Sequence, residues 1–424
     1  MTAPVFTLIF LLFVVGSFAF GSMLTLRHMA HVRVHRTAVP AEFSESITLE
    51  AHQKAADYTI AKNRLGLIES VFDVALLLAI TFGGGMWLIH HVASTWFSGP
   101  TLLGLAIFAG LIIVSSIIST PIDLYRTFVI EQQFGFNKLT WQLYLIDGIK
   151  GMLLAAAIGV PLLLVTFWLM EKMGGLWWLY VWLVWLAFSL AMIVIYPSLI
   201  APLFNKFSPL GDASLKARIE SLLTRCGFTS SGLFVMDGSK RSSHGNAYFT
   251  GLGRTKRIVF FDTLIARLSP PEIEAVLAHE LGHFKRKHIT KMIVGQFVLA
   301  FVILALMGWV IDKPWFYEGL GFPLGDAVPH VAPHVAISLA LFFMVLPVFT
   351  FWLTPLASLI SRKHEFEADA YAAEQTEASD LITALVKLYR DNASTLTPDP
   401  LHSAVYDSHP PAAIRIAHLK AMQT

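Results

Sequence analysis

Long apolar stretches recur along the chain and are separated by shorter polar segments. Each has about 20 residues or more, the length that an α-helix needs to cross the roughly 30 Å hydrocarbon core of a bilayer. Within the second stretch, we expect the glycine run Gly83–Gly85 to permit close helix packing. The pattern predicts a polytopic membrane protein with seven transmembrane helices. The predicted spans are Val5–Leu26, Leu67–Ile89, Thr101–Thr120, Gly151–Met170, Leu176–Tyr196, Met292–Ile311 and Val335–Ile360.

The composition agrees with this pattern. Of 424 residues, 55% are hydrophobic and only 14% are charged, and the mean hydropathy is +0.62. These values lie outside the range of soluble globular proteins, so the lipid bilayer is the expected environment. Lysine plus arginine (31) nearly balance aspartate plus glutamate (29), and no long basic run is present. We therefore expect no nucleic-acid partner.

Basic residues are concentrated in alternate loops. Six lysines and arginines lie between the first two predicted spans, and Arg126, Lys138 and Lys150 lie between the third and fourth. By contrast, residues 91–100 contain no lysine or arginine, and residues 312–334 contain only Lys313. Because short cytoplasmic loops carry the excess of basic residues, we expect the N-terminus outside and the C-terminus in the cytoplasm.

The segment 201–290 is the part of the chain that can form a soluble domain, and it falls on the cytoplasmic side of this topology. Between Gly232 and Leu264, short β-branched and aromatic runs predict a small β-sheet. The predicted fold is mainly α, with a cytoplasmic catalytic segment that contains this sheet. The predicted divisions are 1–200 (spans one to five), 201–290 (catalytic segment), 291–360 (spans six and seven) and 361–424 (C-terminal cytoplasmic helices).

The stretch "SPPEIEAVLAHELGHFKRKH" predicts a helix that carries a cluster of ionisable side chains. Ser269 is a candidate N-cap, and Glu272, three residues later, completes a capping box. His279 and His283 are four residues apart, so both imidazoles project from one face of the helix. The alternative interpretation is a charged amphipathic helix on the cytoplasmic surface.

Two histidines at this spacing can bind one Zn²⁺ ion, whose nitrogen ligands lie at about 2.0–2.1 Å. Glu280, next to the first histidine, is placed to accept a proton from an attacking water molecule. A histidine, a glutamate and a second histidine at this spacing are typical of zinc metallopeptidases. The pattern therefore predicts one zinc ion per chain and hydrolysis of a peptide bond.

The stretch "SRKHEFEADAYAAEQ" after the seventh span offers a third metal ligand. Because no further histidine follows His283 at a suitable distance, we expect Glu365 to complete the site. Asp369, one turn later, is expected to accept a hydrogen bond from one ligand imidazole, and the sequence leaves open which one. Glu367 is the rival ligand. The alternative interpretation is a solvated acidic helix face.

Six longer motifs resemble one family over nearly the whole chain. The chain is similar to the type I CAAX prenyl proteases, integral-membrane gluzincins of the a-factor-converting enzyme type. The motifs are "EQQFGFNKLT" at Glu131–Thr140, "YPSLIAPLFNKFSPL" at Tyr196–Leu210, "SSHGNAYFTG" at Ser242–Gly251, "HELGH" at His279–His283, "SRKHEFEADAYA" at Ser361–Ala372 and "SHPPAAIRI" at Ser408–Ile416.

The resemblance implies roles for particular residues and a class of substrate. It implies seven helices around a large chamber and a peptide or protein substrate that is lipidated or membrane-tethered. The oligomeric state stays open. The implied roles are zinc binding by His279, His283 and Glu365, general-base catalysis by Glu280, help at the scissile carbonyl by Asn246 and His409, and contact with the peptide or its terminal carboxylate by Arg415.

Two other functions fit parts of the sequence. A quality-control protease of the HtpX type shares the active-site signatures but has fewer spans. A catalytically idle membrane scaffold would have a substitution at a metal ligand or at the general base, and this sequence has none at these positions. The compact loops, with no retrieval signal in "LKAMQT", predict a bacterial inner-membrane protein; a eukaryotic form would lie in the endoplasmic reticulum membrane.

Overall fold

The computed structural model describes residues 1–250, 257–323 and 332–422. The chain is mainly α-helical with one small sheet, as predicted. Two predicted features lie partly outside the described residues: the motif that ends at Gly251 and the loop of residues 312–334. The helices are α1 Ala3–His35, α2 Leu49–Ile80, α3 Gly85–Trp96, α4 Pro100–Tyr125, α5 Trp141–Lys172, α6 Trp177–Ile195, α7 Ala201–Phe204, α8 Ala213–Arg225, α9 Asp262–Ile265, α10 Pro270–Lys285, α11 His288–Val310, α12 Pro314–Glu318, α13 Ala332–Thr350, α14 Thr354–Gln375, α15 Ala378–Asp391, α16 Pro400–Tyr406 and α17 Ala412–Ala421, and the strands are β1 Phe207–Pro209, β2 Leu233–Met236, β3 Ala247–Thr250 and β4 Arg257–Phe261.

The structure supports a polytopic membrane protein with six to seven spans. In the described part of the chain, six helical segments are long and apolar enough to cross a membrane, and the number is seven if a bent pair of helices forms one further span. Many large apolar side chains on these helices are exposed, including Leu12 at 62% and Ile117 at 68%. Exposed apolar surface on this scale is typical of helices that contact lipid tails.

The second span differs from the straight helix predicted over Leu67–Ile89. Helix α2 ends at Ile80, and α3 leaves it at an angle of 61°. Gly84 has φ of +75°, a left-handed conformation that glycine adopts without steric cost. A Cβ atom on Gly83 would lie 2.7 Å from the Ala79 carbonyl oxygen. The glycine run therefore ends one helix and turns the chain, instead of packing two helices together as expected.

The sheet has the strand order β1-β2-β4-β3, with β2 and β4 parallel and the two outer pairs antiparallel. One face packs on α8 and α10 through a core of buried aliphatic and aromatic side chains, among them Ile219, Phe260 and Leu277. A second, larger core joins α1, α3, α4, α12 and α13 and includes Phe10, Ile107 and Tyr317. The small core fixes the helix that carries the histidine pair.

Helix α10 begins as the sequence predicts. Ser269 and Glu272 form a capping box, in which the Ser269 backbone N–H donates to Glu272 Oε2 at 2.7 Å. Lys387 on α15 lies 2.7 Å from the other oxygen of Glu272. Burial opposes ionisation of Glu272, but the contacts with Lys387 and Ser269 outweigh it and lower the pKa of this carboxyl. The start of the helix is thereby anchored to α15.

Helices α10 and α14 pack closely at Gly282. A Cβ atom at this position would lie 2.9 Å from the Ala368 Cα and 3.1 Å from the Tyr371 Cβ. Real Cβ atoms are almost never this close to backbone atoms, so a larger residue must push the helices apart. Gly282 lies between the two histidines of α10 and faces the helix that carries Glu365. The glycine therefore helps to set the distance between these side chains.

We expect Gly282→Ala to destabilise the protein by about 1–3 kcal/mol through overpacking and to weaken metal binding. Thermal unfolding and zinc titration of the purified variant measure the two effects. Gly295→Ala on α11 is the matched control, because a Cβ atom there meets no other atom within 4 Å. Wild-type stability and zinc affinity in Gly282→Ala would contradict the importance of this contact.

Candidate active site

Three of the predicted ligands lie together where α10 faces α14. His279, His283 and Glu365 offer ligand atoms that all lie within 4.8 Å of one another. His279 Nε2 is 3.5 Å from Glu365 Oε2, and His283 Nε2 is 3.3 Å from Glu365 Oε1. The two Nε2 atoms are 3.3 Å apart. These nitrogens and oxygens therefore converge on one point.

This set of atoms fits a zinc ion. Two imidazole nitrogens and a carboxylate are a common protein ligand set for catalytic zinc, which keeps a fourth position open. Glu365 is 3% exposed, yet its Oε2 atom accepts no hydrogen bond from the residues that the structure describes. Arg415 Nη1 lies 3.3 Å from it as an ion-pair contact. A buried oxygen without a hydrogen bond is costly unless it binds an ion.

Of the two imidazoles predicted as ligands, the structure places His279 against Asp369. Asp369 Oδ1 lies 2.8 Å from His279 Nδ1, the nitrogen that faces away from Glu365. Burial alone would lower the pKa of His279, but the contacts with the carboxylates of Asp369 and Glu365 outweigh burial and raise this pKa to about 9. Asp369 therefore holds the ring so that Nε2 faces the ligand cluster.

Arg415 lines the cavity beside the ligand cluster and also contacts Asp369. Its Nε donates to Asp369 Oδ2 at 2.8 Å, and its Nη2 donates to Asp369 Oδ1 at 2.5 Å. The side chain is 6% exposed. Because Asp369 accepts both of these hydrogen bonds, the guanidinium holds the carboxylate that contacts His279, and the implied contact of Arg415 with the peptide stays a prediction.

Glu280, Asn246 and His409 line one cavity of about 370 Å³ beside the ligand cluster. Asn246 immediately precedes β3 and is exposed, and His409 Nε2 lies 3.5 Å from Glu365 Oε1. Leucine, valine and tyrosine side chains form much of the remaining wall of the cavity. A cavity lined by both apolar and polar side chains beside a set of candidate metal ligands is typical of a substrate site.

Burial shifts the pKa values of two of these groups in opposite directions. It raises the pKa of the Glu280 carboxyl above its usual value, although the neighbouring His279 and His283 act against this. It lowers the pKa of His409, against the attraction of Glu365. Glu280 is thereby a stronger base than an exposed carboxylate, and the shift favours the neutral form of His409, which carries one ring N–H.

Sequence reasoning missed residues that reach the site from a distance. Asn392, which follows α15, accepts a hydrogen bond from the Gly245 backbone N–H at 3.2 Å and so fixes the segment next to Asn246. Glu367, the rival ligand, lies outside the cluster and contacts His288 at 2.9 Å. The sequence contains no local signal for either contact, because each joins segments that only tertiary packing brings together.

Comparisons with known proteins agree with this geometry. Residues 28–206 match the family model described as CAAX prenyl protease N-terminal, five membrane helices, and residues 209–423 match peptidase family M48. The chain belongs to the CAAX prenyl protease family of M48 peptidases. CAAX prenyl protease 1 of Saccharomyces cerevisiae is 38% identical over 96% of this chain and 93% of its own length. The homologue of Arabidopsis thaliana is 36% identical over 95% of each chain.

A solved structure of the family has the same fold. The crystal structure of S. mikatae Ste24p covers 98% of this chain and 99% of its own, with 36% sequence identity and a TM-score of 0.91. Membership of the family makes this chain a multi-pass membrane metalloendopeptidase, so the idle scaffold is excluded. The match to the N-terminal family model, with its five membrane helices, favours a CAAX prenyl protease over an HtpX-type protease.

Proposed function

We propose that this protein is a zinc-dependent endopeptidase that cleaves near the C-terminus of prenylated CAAX-type or other membrane-tethered polypeptides. The observation that carries the proposal is the convergence of His279, His283 and Glu365 beside a cavity that Glu280 also lines. The printed names of the relatives, CAAX prenyl proteases from yeast and plants, support the class of substrate.

In this proposal, His279, His283 and Glu365 hold one zinc ion. Zinc, when bound, polarises the scissile carbonyl and makes water a stronger nucleophile. Glu280 accepts the proton of the attacking water and then donates it to the leaving amine, because its raised pKa suits both steps. These two proton transfers let one side chain serve bond formation and bond cleavage in turn.

Four further side chains assist. Asn246 and His409 both line the cavity. We assign them to the scissile carbonyl, where an amide N–H and an imidazole N–H stabilise the negative charge that develops on the oxygen. Arg415 orients Asp369, which in turn orients His279. We therefore assign Arg415 a positioning role, and its implied contact with the peptide stays a prediction.

We also propose that the active site lies on the cytoplasmic side of the membrane, with the N-terminus outside. The basic residues of alternate loops support this orientation. It places the division 201–290 and the C-terminal division 361–424, which together supply the ligands, on the same side of the membrane. The bacterial inner membrane stays a prediction from sequence.

The test is cleavage of a quenched fluorescent prenylated CAAX peptide by detergent-purified protein whose zinc content is known. We expect one zinc per chain and cleavage that a chelator reduces by at least about 100-fold and that added zinc restores. The matched control is the same peptide without its prenyl group. Absence of zinc in the folded protein would contradict the metal assignment. Zinc without cleavage of either peptide would contradict the substrate class.

A further inference from the structure

The two histidine ligands have different supports. His279 contacts the carboxylate of Asp369 directly, with 2.8 Å between Nδ1 and Oδ1. His283 instead contacts a third histidine: its Nδ1 lies 3.0 Å from Nδ1 of His288, the first residue of α11. His288 is 3% exposed, and it lies outside the ligand cluster. Residues that contact a metal-ligating histidine in this way commonly fix the orientation of its ring.

A carboxylate stands at the far side of His288. His288 Nε2 lies 2.9 Å from Glu367 Oε2 on α14, so both ring nitrogens of this histidine have a partner. The ring of His364 stacks on it with 4.0 Å between centroids and an interplanar angle of 12°. His283, His288 and Glu367 thus form a continuous chain of contacts, which we call the His288 relay.

The backbone bends sharply to bring His288 into this place. Helix α10 ends at Lys285 and α11 begins at His288, so only two residues separate them. Lys287, one of the two, has φ of +58°, a left-handed conformation that a side-chain-bearing residue rarely adopts. Such conformations persist where surrounding contacts enforce them, and they cluster at functional sites.

The direction of the hydrogen bonds follows from metal binding. His283 Nε2 faces the ligand cluster, so it must keep a free lone pair, and the single proton of the neutral ring lies on Nδ1. That N–H donates to His288 Nδ1. The proton of neutral His288 then lies on Nε2 and donates to Glu367. The opposite direction would place the proton of His283 on Nε2, where it blocks the metal.

We propose that His288 and Glu367 are positioning residues that hold His283 in its metal-binding tautomer. The proposal rests on the zinc site of the proposed function and extends it. Glu367 accepts only, because it is a carboxylate, and it therefore fixes the direction of both hydrogen bonds. The two ligand imidazoles are supported in the same way, one by a carboxylate directly and the other by a carboxylate through a neutral imidazole.

The test is the zinc dissociation constant, measured by competition with a chromophoric chelator, for wild type, His288→Phe and Glu367→Ala. Phenylalanine keeps an aromatic ring against His364 but has no nitrogen. We expect both variants to bind zinc about 10–100-fold more weakly than wild type. The absorption spectrum of the Co²⁺-loaded protein is a second readout, and we expect its ligand-field bands to change in both variants.

Two further variants separate positioning from structural support. Glu367→Gln keeps an acceptor oxygen for His288, so we expect it to recover most of the lost zinc affinity. Glu374→Ala makes the same change at an exposed position of α14 and should bind zinc like the wild type. Wild-type zinc affinity and an unchanged cobalt spectrum in both His288→Phe and Glu367→Ala would overturn the proposal, whatever their melting temperatures.

Failure of the relay and failure of the proposed function give different results. If wild-type protein binds zinc and cleaves the prenylated peptide while both relay variants bind zinc equally well, only the relay is wrong. If the folded wild-type protein binds no zinc, the metal assignment fails and the relay fails with it.

Discussion

Glu280→Gln lowers the rate of peptide cleavage by about 10²–10⁴-fold while the zinc content stays at one ion per chain. The amide has the shape of the carboxylate but cannot accept a proton. Glu280 is absent from the ligand cluster found in the described part of the chain, so the change leaves the metal ligands in place. The expected loss is therefore in kcat, with folding and zinc binding preserved.

Stability gives an independent check on the same variant. Burial raises the pKa of Glu280, so the folded protein holds this proton more tightly than the unfolded chain does. As the pH rises from the pKa of Glu280 in the unfolded chain to its higher pKa in the folded protein, ionisation of this carboxyl lowers the free energy of unfolding. Replacing it by a neutral amide removes this cost. In metal-free protein at neutral pH, we expect the melting temperature of Glu280→Gln to equal or exceed that of wild type.

Peptide cleavage, zinc content and thermal unfolding are measured on the same preparations, with Glu374→Gln as the matched exposed control on α14. Cleavage by Glu280→Gln at more than about a tenth of the wild-type rate would exclude Glu280 as the general base. Loss of zinc together with cleavage would instead show that Glu280 helps to hold the metal.

Features encoded in a few neighbouring residues could be predicted from the sequence. The capping box of Ser269 and Glu272 depends on a spacing of three residues, and the common face of His279 and His283 depends on a spacing of four. The length and apolar character of the spans are likewise local properties. These predictions agree with the structure because short-range geometry determines them.

Other features escaped prediction because they depend on packing. The break at Gly84 lies inside a continuous apolar stretch, and hydropathy does not register the conformation of a single glycine. Hydrogen bonds such as Arg415 to Asp369 and His288 to Glu367 join residues 46 and 79 positions apart. The sequence leaves the choice of His279 as the partner of Asp369 open for the same reason. Side-chain direction decides such contacts, and no spacing rule supplies it across separate helices.

We expect the Glu365→Ala variant to lose zinc. Its zinc affinity should fall by more than the factor of about 10–100 that is expected when a residue that only contacts a ligand is changed. The change removes the one carboxylate that the described structure brings to both histidines, at 3.5 and 3.3 Å. Two imidazoles alone give an incomplete zinc site. Arg415 keeps its pair of hydrogen bonds to Asp369, so the loss does not leave the buried guanidinium without a partner.

The measurement is zinc per chain after equilibration with free zinc at a concentration well above the dissociation constant of Glu367→Ala, with circular dichroism to confirm that the variant is folded. Glu367→Ala serves as the comparison, because it removes a carboxylate from the same helix two residues away. If Glu365 is the ligand and Glu367 acts through His288, the first variant loses zinc and the second retains it at high zinc concentration. A normal zinc content in folded Glu365→Ala would refute the ligand assignment, and loss confined to Glu367→Ala would transfer it to the rival carboxylate.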